Sequence, residues 1–299
     1  MTSVGFIGLG TMGSRMARSM MRAGLDLVVF DVNPETLRAF ENEGARPATG
    51  PAAVAKQVDA VHLSLPDSPD VIAVATGPGG IVEAAHASLT VVDHSSISPL
   101  TSRRLAQDLA AHGIDWLDAP VSGGPAGAAA GSLTIMVGGK TEALERCRSV
   151  LQTIGKNIEH MGGPGAGGTT KVVNQLAVGI QAMAVFEAFT LGVKSGIPAE
   201  RLFEVLRTSS SASWVMEKLV PAVLLSNRER EVPAAWFALR LQHKDLRLAV
   251  ETASGLKVPL ADGALSEQLY AIAEGLGWGN QDQVSAINLY ADYVGIERW

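Results

Sequence analysis

Residues 4–13 read VGFIGLGTMG. A short apolar run, Val4–Ile7, meets three glycines, Gly8, Gly10 and Gly13, spaced G-x-G-x-x-G. A helical pattern then runs to Arg22, with Gly24 as its stop. In that context, strand before and helix after, each glycine has a distinct use. Gly8 permits a tight turn, Gly10 lets a pyrophosphate approach the backbone, and Gly13 lets the helix lie close to the strand. An anion there would rest on the N–H groups of Thr11, Met12 and Gly13, at the positive end of the helix. The competing reading is a helix-opening loop with incidental glycines, and the strand–motif–helix order argues against it.

Outward from this loop the first half of the chain alternates. Leu27–Phe30 is a second apolar run, followed by Pro34 and another helical pattern. Ala60–Leu65 is a third, ended by Pro66. Val91 and Val92 lead into Asp93, Trp116 and Leu117 lead into Asp118, and Thr134–Val137 and Ile158 close the series. Strands alternating with helices predict a mostly parallel, doubly wound sheet covered on both faces. Asp31 ends the second run, about 20 residues past the glycines, where an acid bonds the ribose hydroxyls. A carboxylate there repels a 2′-phosphate, and residue 32 is Val rather than Arg, so the pattern predicts NAD over NADP. The alternative for Asp31 is a turn residue ahead of Asn33-Pro34.

After the glycine-rich turn 162–168 no strand pattern appears. Thr169 to Lys194 reads as one long helix, with Ala177, Ile180, Met183, Ala184 and Leu191 on apolar spacing. Pro198 opens another helix, and Leu239–Ala253 and Leu260–Gly275 follow. The expected division is an α/β domain over 1–163 and an all-helical domain over 164–299.

Composition narrows the function classes. With 24 basic and 30 acidic residues and no basic run, nucleic acid is not expected as a partner. The single cysteine, Cys147, rules out an internal disulfide and fits a reducing, cytoplasmic setting. The N-terminus has no basic leader pattern. The apolar stretch 172–186 holds Asn174, Gln175 and Gln181, so a buried helix is expected rather than a membrane span. No residues are assigned to a metal.

Three segments carry the chemistry. Asp118-Ala119-Pro120-Val121-Ser122-Gly123-Gly124 follows an expected strand, and doubly wound sheets bind ligands beyond the carboxyl ends of strands. The Ser122 hydroxyl and the N–H groups of Gly123 and Gly124 suit a substrate carboxylate, although an SGG turn by itself reads as an ordinary loop. Lys171, Asn174 and Gln175 fall at i, i+3 and i+4 on the long helix and share a face. A lysine and two amides on one buried stripe are costly unless used. Alcohol oxidation needs a group to take the hydroxyl proton, and a lysine whose pKa is lowered by burial can do so. Asn174 would hold the substrate oxygen or the amine; the alternative is a lysine that snorkels to water. Lys244 and Asp245 form a third candidate, which alone reads as a solvated helix face.

Together these segments resemble the β-hydroxyacid dehydrogenase family. The likeness runs in order: VGFIGLGTMG at the start, LPDSPDV at 65–71, DHSSISP at 93–99, DAPVSGG at 118–124, GSLTIMVGG at 131–139, GAGGTTKVVNQ at 165–175 and HKDLRLA at 243–249. The resemblance implies a Rossmann N-terminal domain, a long interdomain helix and an all-α C-terminal domain that helps form a homodimer or homotetramer. It implies Lys171 as the catalytic lysine and Asn174 as the substrate-orienting amide. Ser122, Gly123 and Gly124 become the carboxylate-anchoring loop, and Leu65, Pro66, Ser96 and Lys244 become cofactor contacts. Gln175 matches the tartronate semialdehyde reductase branch, and Lys171 argues against imine-reducing relatives. The stretch from Ser209 to Trp214 departs from those reductases in a region that helps line the substrate pocket. The implied activity interconverts a small hydroxy acid and its semialdehyde. The alternatives are a non-catalytic NAD-binding sensor or scaffold module, against which Lys171 and Asn174 speak, and an NADPH-dependent reductase.

Overall fold

The computed structural model describes residues 3–84, 86, 88–221 and 237–298. Contacts divide the chain into two compact units, Met1–Lys171 and Val172–Trp299. The division falls inside the long helix, beyond the glycine-rich turn, because the first turn of that helix is hydrogen-bonded into the first unit.

The first unit holds β1 (Ser3–Ile7), β2 (Asp26–Phe30), β3 (Arg46–Pro47), β4 (Ala60–Leu63), β5 (Thr90–Asp93), β6 (Asp115–Asp118), β7 (Val121–Ser122), β8 (Leu133–Gly138) and β9 (Gly155–Gly162). They make a nine-stranded sheet of order β3-β2-β1-β4-β5-β6-β8-β7, with β9 on β8. Strands β1 to β6 pair in parallel. β8 runs antiparallel to β6 and β7, and β9 follows β8 in parallel. β4 and β5 are buried at every residue, which is why they read as runs rather than alternations. β1 alternates between two cores. Val4 and Phe6 pack with Met16, Met20 and Leu117, while Ile7 packs with Val54, Val71 and Leu105.

Local chemistry starts the helices where the links demand. Asn33 accepts the N–H groups of Glu35 and Thr36, and Pro34 occupies the first turn of the Pro34–Asn42 helix. Asp67 and Asp70 form a capping box for the Ser68–Thr76 helix. Cys147 is wholly buried, and burial pushes its thiol up to about 11, so it packs the core as an inert side chain.

The long helix spans Ala166–Lys194. In the second unit its Ala182, Met183, Val185, Phe186 and Phe189 share a core with Leu246, Tyr270 and Trp278. Of the apolar residues that periodicity selects, Met183 is buried, whereas Ala177 and Ala184 are exposed and Leu191 is 71% exposed. The helix is apolar on nearly every side, so spacing does not identify the buried face. By length and composition it could cross a membrane. It nevertheless carries buried Lys171, Gln175 and Thr190 and packs into a helical core. The described residues of the unit also form helices Ala199–Leu206, Trp214–Lys218, Leu239–Leu256, Ala261–Ala273 and Asn288–Val294, with the shorter helical turns Glu274–Trp278 and Gln283–Ile287, and no strand.

Candidate functional site

The sheet order reverses between β1 and β4, and the expected dinucleotide residues of the first unit collect at the carboxyl ends of the strands around that point. Gly8 has φ +89°, and a Cβ there would lie 2.3 Å from the Ser64 carbonyl oxygen. A Cβ on Gly13 would lie 1.9 Å from the Gly8 carbonyl oxygen. A Cβ on Gly10 would meet nothing within 4 Å, so the surroundings within the chain do not explain that glycine. Gly10 and Thr11 are exposed, and the Gly13–Arg22 helix starts without a side-chain cap; its Ser14 and Arg15 N–H groups donate to the Gly10 and Met12 carbonyls at 3.0 and 3.1 Å, and its positive end still favours an anion.

Asp31 is bonded at both oxygens. Its Oδ2 accepts the Leu9 N–H at 2.6 Å and its Oδ1 the Asn33 N–H at 2.8 Å. The turn role and the ribose role are therefore compatible, because a carboxylate has further lone pairs to offer. The Leu65 N–H donates to Ser95 Oγ at 2.9 Å, tying the loop after β4 to the loop after β5. Pro66 beside it is exposed and Ser96 half-buried.

At the end of β6, Asp118 is 2% exposed. Its Oδ1 accepts the Gly165 N–H and its Oδ2 the Gly168 N–H, both at 2.7 Å. These are amides at the start of the long helix, so the carboxylate caps that helix from outside. Glycines make room for it, since a Cβ on Gly138 would come within 2.6 Å of Oδ1. Burial pushes the Asp118 carboxyl above its usual range, and the Gly168 and Gly165 amides pull it back. Lys171, buried, sits three residues beyond Gly168 on the helix so held. On the other side of Asp118 the chain runs through Ala119 and Pro120 into Ser122, half-buried, and Gly123, exposed. Gly123 (φ +130°) and Gly124 (φ +65°) adopt backbone conformations suited to glycine. Gly124 opens the Gly124–Ala130 helix, whose first N–H groups have no intrahelical acceptor. The expected lysine and the expected carboxylate loop thus depart from one strand end.

In the second unit the buried amides form a network. Gln175 Nε2 donates to Asp245 Oδ2 at 2.9 Å and to Gln242 Oε1 at 3.3 Å, while its Oε1 accepts from Asn174 Nδ2 at 3.0 Å. Gln242 Nε2 returns a bond to the Gln175 carbonyl at 3.1 Å. Lys244 Nζ stands 3.7 Å from Asp245 Oδ1. The amide of Gln175 is committed to protein partners and orients Asn174. Asp245, read from sequence as part of a solvated face, is 3% exposed and joins Gln175 to Lys244. Ser213 caps the helix that Trp214 opens, and the indole is 48% exposed.

Two further buried residues carry no spacing signal in the sequence. His62 Nδ1 and His94 Nε2 lie 2.8 Å apart, and His94 Nδ1 lies 2.8 Å from the Ala119 carbonyl oxygen, all buried. The partners are 32 positions apart in the chain, and only the β4–β5 register brings them together. Burial pushes His94 down to about 4 and His62 well below the imidazole range, so both rings are neutral near pH 7.

Comparison with known proteins agrees with this architecture. Residues 3–163 match the family described as the NAD binding domain of 6-phosphogluconate dehydrogenase. Residues 165–290 match the family described as NAD-binding of NADP-dependent 3-hydroxyisobutyrate dehydrogenase. The 2-(hydroxymethyl)glutarate dehydrogenase of Eubacterium barkeri is 38% identical over 98% of this chain and 96% of its own. The chain belongs to the β-hydroxyacid dehydrogenase family. Two solved family structures are similar throughout. The 3-hydroxyisobutyrate dehydrogenase of Salmonella typhimurium has a TM-score of 0.83 at 31% identity, covering 97% of this chain and 100% of that one. The 3-hydroxyisobutyrate dehydrogenase of Mycobacterium tuberculosis, solved with L-serine, has a TM-score of 0.86 at 29% identity, covering 97% and 99%. As a β-hydroxyacid dehydrogenase the chain is an oxidoreductase with an NAD-binding Rossmann domain. The loop itself fits such a dinucleotide, with a glycine cradle at Gly8 and Gly13, open space at Gly10 and an acid at Asp31.

Proposed function

We propose that this enzyme interconverts a small β-hydroxy acid and its semialdehyde with NAD, and that Lys171 moves the hydroxyl proton. The observation that carries this is the buried lysine one turn beyond a helix start held by Asp118, the residue that leads into the Ser122-Gly123-Gly124 turn. NAD, when bound, supplies the hydride acceptor, and Gly8, Gly10, Thr11, Met12, Gly13, Asp31, Leu65, Pro66, Ser96 and Lys244 are the residues proposed to hold it. The Ser122 hydroxyl and the N–H groups of Gly123 and Gly124 bind the substrate carboxylate. Asn174 orients the reacting oxygen, with Gln175 behind it. As the carbinol C–H bond gives up hydride, the O–H bond breaks and its proton passes to the neutral amine of Lys171; reduction runs the same transfer backwards.

The small molecules named with the relatives, 2-(hydroxymethyl)glutarate, 3-hydroxyisobutyrate and L-serine, share the unit HOCH2–CHR–COO⁻. That unit, with glycerate beside it, defines the substrate class proposed here. The carboxylate explains why simple alcohols should fail, and the stretch from Ser209 to Trp214 is the place to look for selection among R groups. A homo-oligomer in the cytoplasm belongs to the same proposal.

The test is a panel of 3-hydroxyisobutyrate, glycerate, L-serine, 2-(hydroxymethyl)glutarate and 1-propanol with NAD and with NADP, followed by absorbance of the reduced cofactor. Turnover of at least one acid, none of 1-propanol and preference for NAD are expected. Binding of NAD with no turnover of any acid would favour a sensor or scaffold module. A strong preference for NADP would overturn the role given to Asp31.

A further inference from the structure

We propose that His94, oriented by His62, is a positioning residue for the substrate-carboxylate turn at 122–124, acting through the carbonyl of Ala119. The proposal rests on the reading of that turn given above. Hydrogen-bond logic fixes both tautomers. The Ala119 carbonyl can only accept, so His94 Nδ1 carries the hydrogen of that 2.8 Å bond. A neutral His94 then presents a bare Nε2, which accepts from His62 Nδ1–H at 2.8 Å. The chain therefore runs in one direction, from β4 through the loop after β5 to the residue after β6. It ends inside the core, because His62 Nε2 has no partner among the described residues.

The arrangement is unusual in its surroundings. β4 is otherwise Ala60, Val61 and Leu63. His62 is register partner to Phe6 on one side and Val92 on the other, and its ring stacks against both Phe6 and His94. An aliphatic side chain would fill that space without leaving a buried ring nitrogen unbonded. What the two imidazoles add is a directed donor at Ala119. The Ala119 N–H already donates to the Asp93 carbonyl at 2.7 Å, so the His94 bond fixes the second backbone polar group of that residue. The next residue is Pro120, which has no N–H and whose carbonyl accepts from Met136 N at 3.0 Å. The backbone is thus pinned at successive residues between β6 and β7, and Ser122, at the end of β7, lies three residues beyond Ala119. Without His94 the Ala119 carbonyl is a buried acceptor with no donor, and the segment leading into the turn loses the middle one of these three bonds.

The experiment compares the wild-type enzyme with His94→Leu and His94→Asn. Asn places an amide N–H near the Nδ1 position and keeps the donor toward Ala119. Steady-state kinetics are run on the best acid of the panel, and ¹⁵N-imidazole NMR is recorded on the wild type. We expect both rings to be neutral with hydrogen on Nδ1. For His94→Leu we expect KM for the acid to rise about tenfold or more, the loss of roughly one charge-assisted contact's worth of alignment. KM for NAD should stay within about twofold and kcat within about threefold, and His94→Asn should recover most of the loss. Hydrogen on Nε2 of His94, an unchanged acid KM in His94→Leu, or a parallel loss for acid and NAD that His94→Asn does not recover would each overturn the role. A wild-type enzyme that binds NAD but turns over no acid removes the function and this role together. An active enzyme indifferent to His94→Leu removes the role alone.

Discussion

Gly10 and Gly13 stand in one loop and answer to different demands. A methyl group on Gly13 meets the Gly8 carbonyl at 1.9 Å inside the protein, whereas one on Gly10 enters open space. Gly13→Ala should therefore destabilise the fold by about 1–3 kcal/mol, the usual range for overpacking, seen as a lower midpoint in thermal denaturation. Gly10→Ala should melt like the wild type and bind NAD about tenfold more weakly in a fluorescence titration, because only the dinucleotide needs that space. Equal effects at both positions would contradict the assignment. His94 has a pH signature as well. In the unfolded chain its imidazole takes a proton near the ordinary 6.5, but in the folded core not until about 4. Between those values the unfolded state holds more protons, so stability falls as the pH drops through that window and levels off below it. The loss from this group amounts to about 3 kcal/mol at the acid end. Chemical denaturation at pH 7 and pH 4.5 should show a smaller difference in His94→Asn than in the wild type. At this scale the sequence offers candidates where chemistry follows spacing, as in G-x-G-x-x-G, Asp31, and Lys171 with Asn174, whose roles remain proposals. It is silent where partners meet through register, as His62 and His94 do.

Among the elements, the long helix and β6 meet at Asp118. Removing that carboxylate strands the Gly165 and Gly168 amides in a buried place, at about 1–3 kcal/mol for each unsatisfied group. Asp118→Ala should lower the midpoint of unfolding and reduce kcat on the best acid together, because the same carboxylate fixes the turn from which Lys171 projects. A variant that is less stable yet fully active would separate the helix start from the chemistry. The strand–helix alternation of residues 1–163 was legible because buried parallel strands are apolar runs. The reversal at β7 and β8 was not, since an apolar run carries no direction. β9 was visible only at Ile158, because GKNIEHMG lies at a sheet edge with most of its side chains exposed. The buried side of the long helix could not be chosen from a helix apolar all round, and Asp245 looked solvated because its partners come from another helix.

At the scale of the whole molecule, the second unit exposes Leu191, Val205, Leu256, Leu265, Ile272 and Leu276, each more than half accessible. Apolar residues in that number on a helical unit suit burial against another copy of the chain. Light scattering behind size exclusion should give a dimer or tetramer of the 31.2 kDa chain, and a monomer at micromolar concentration would contradict that expectation. The larger claim is that one buried amine carries the proton of the reaction while the Rossmann half holds the dinucleotide and the glycine turn holds the acid. Transient kinetics of the intact enzyme address it directly, with NADH formation followed for the wild type and Lys171→Ala on the same hydroxy acid. The account predicts a loss of about 10²–10⁴-fold in the hydride-transfer rate with little change in KM for either ligand. Transfer in Lys171→Ala at close to the wild-type rate would contradict it.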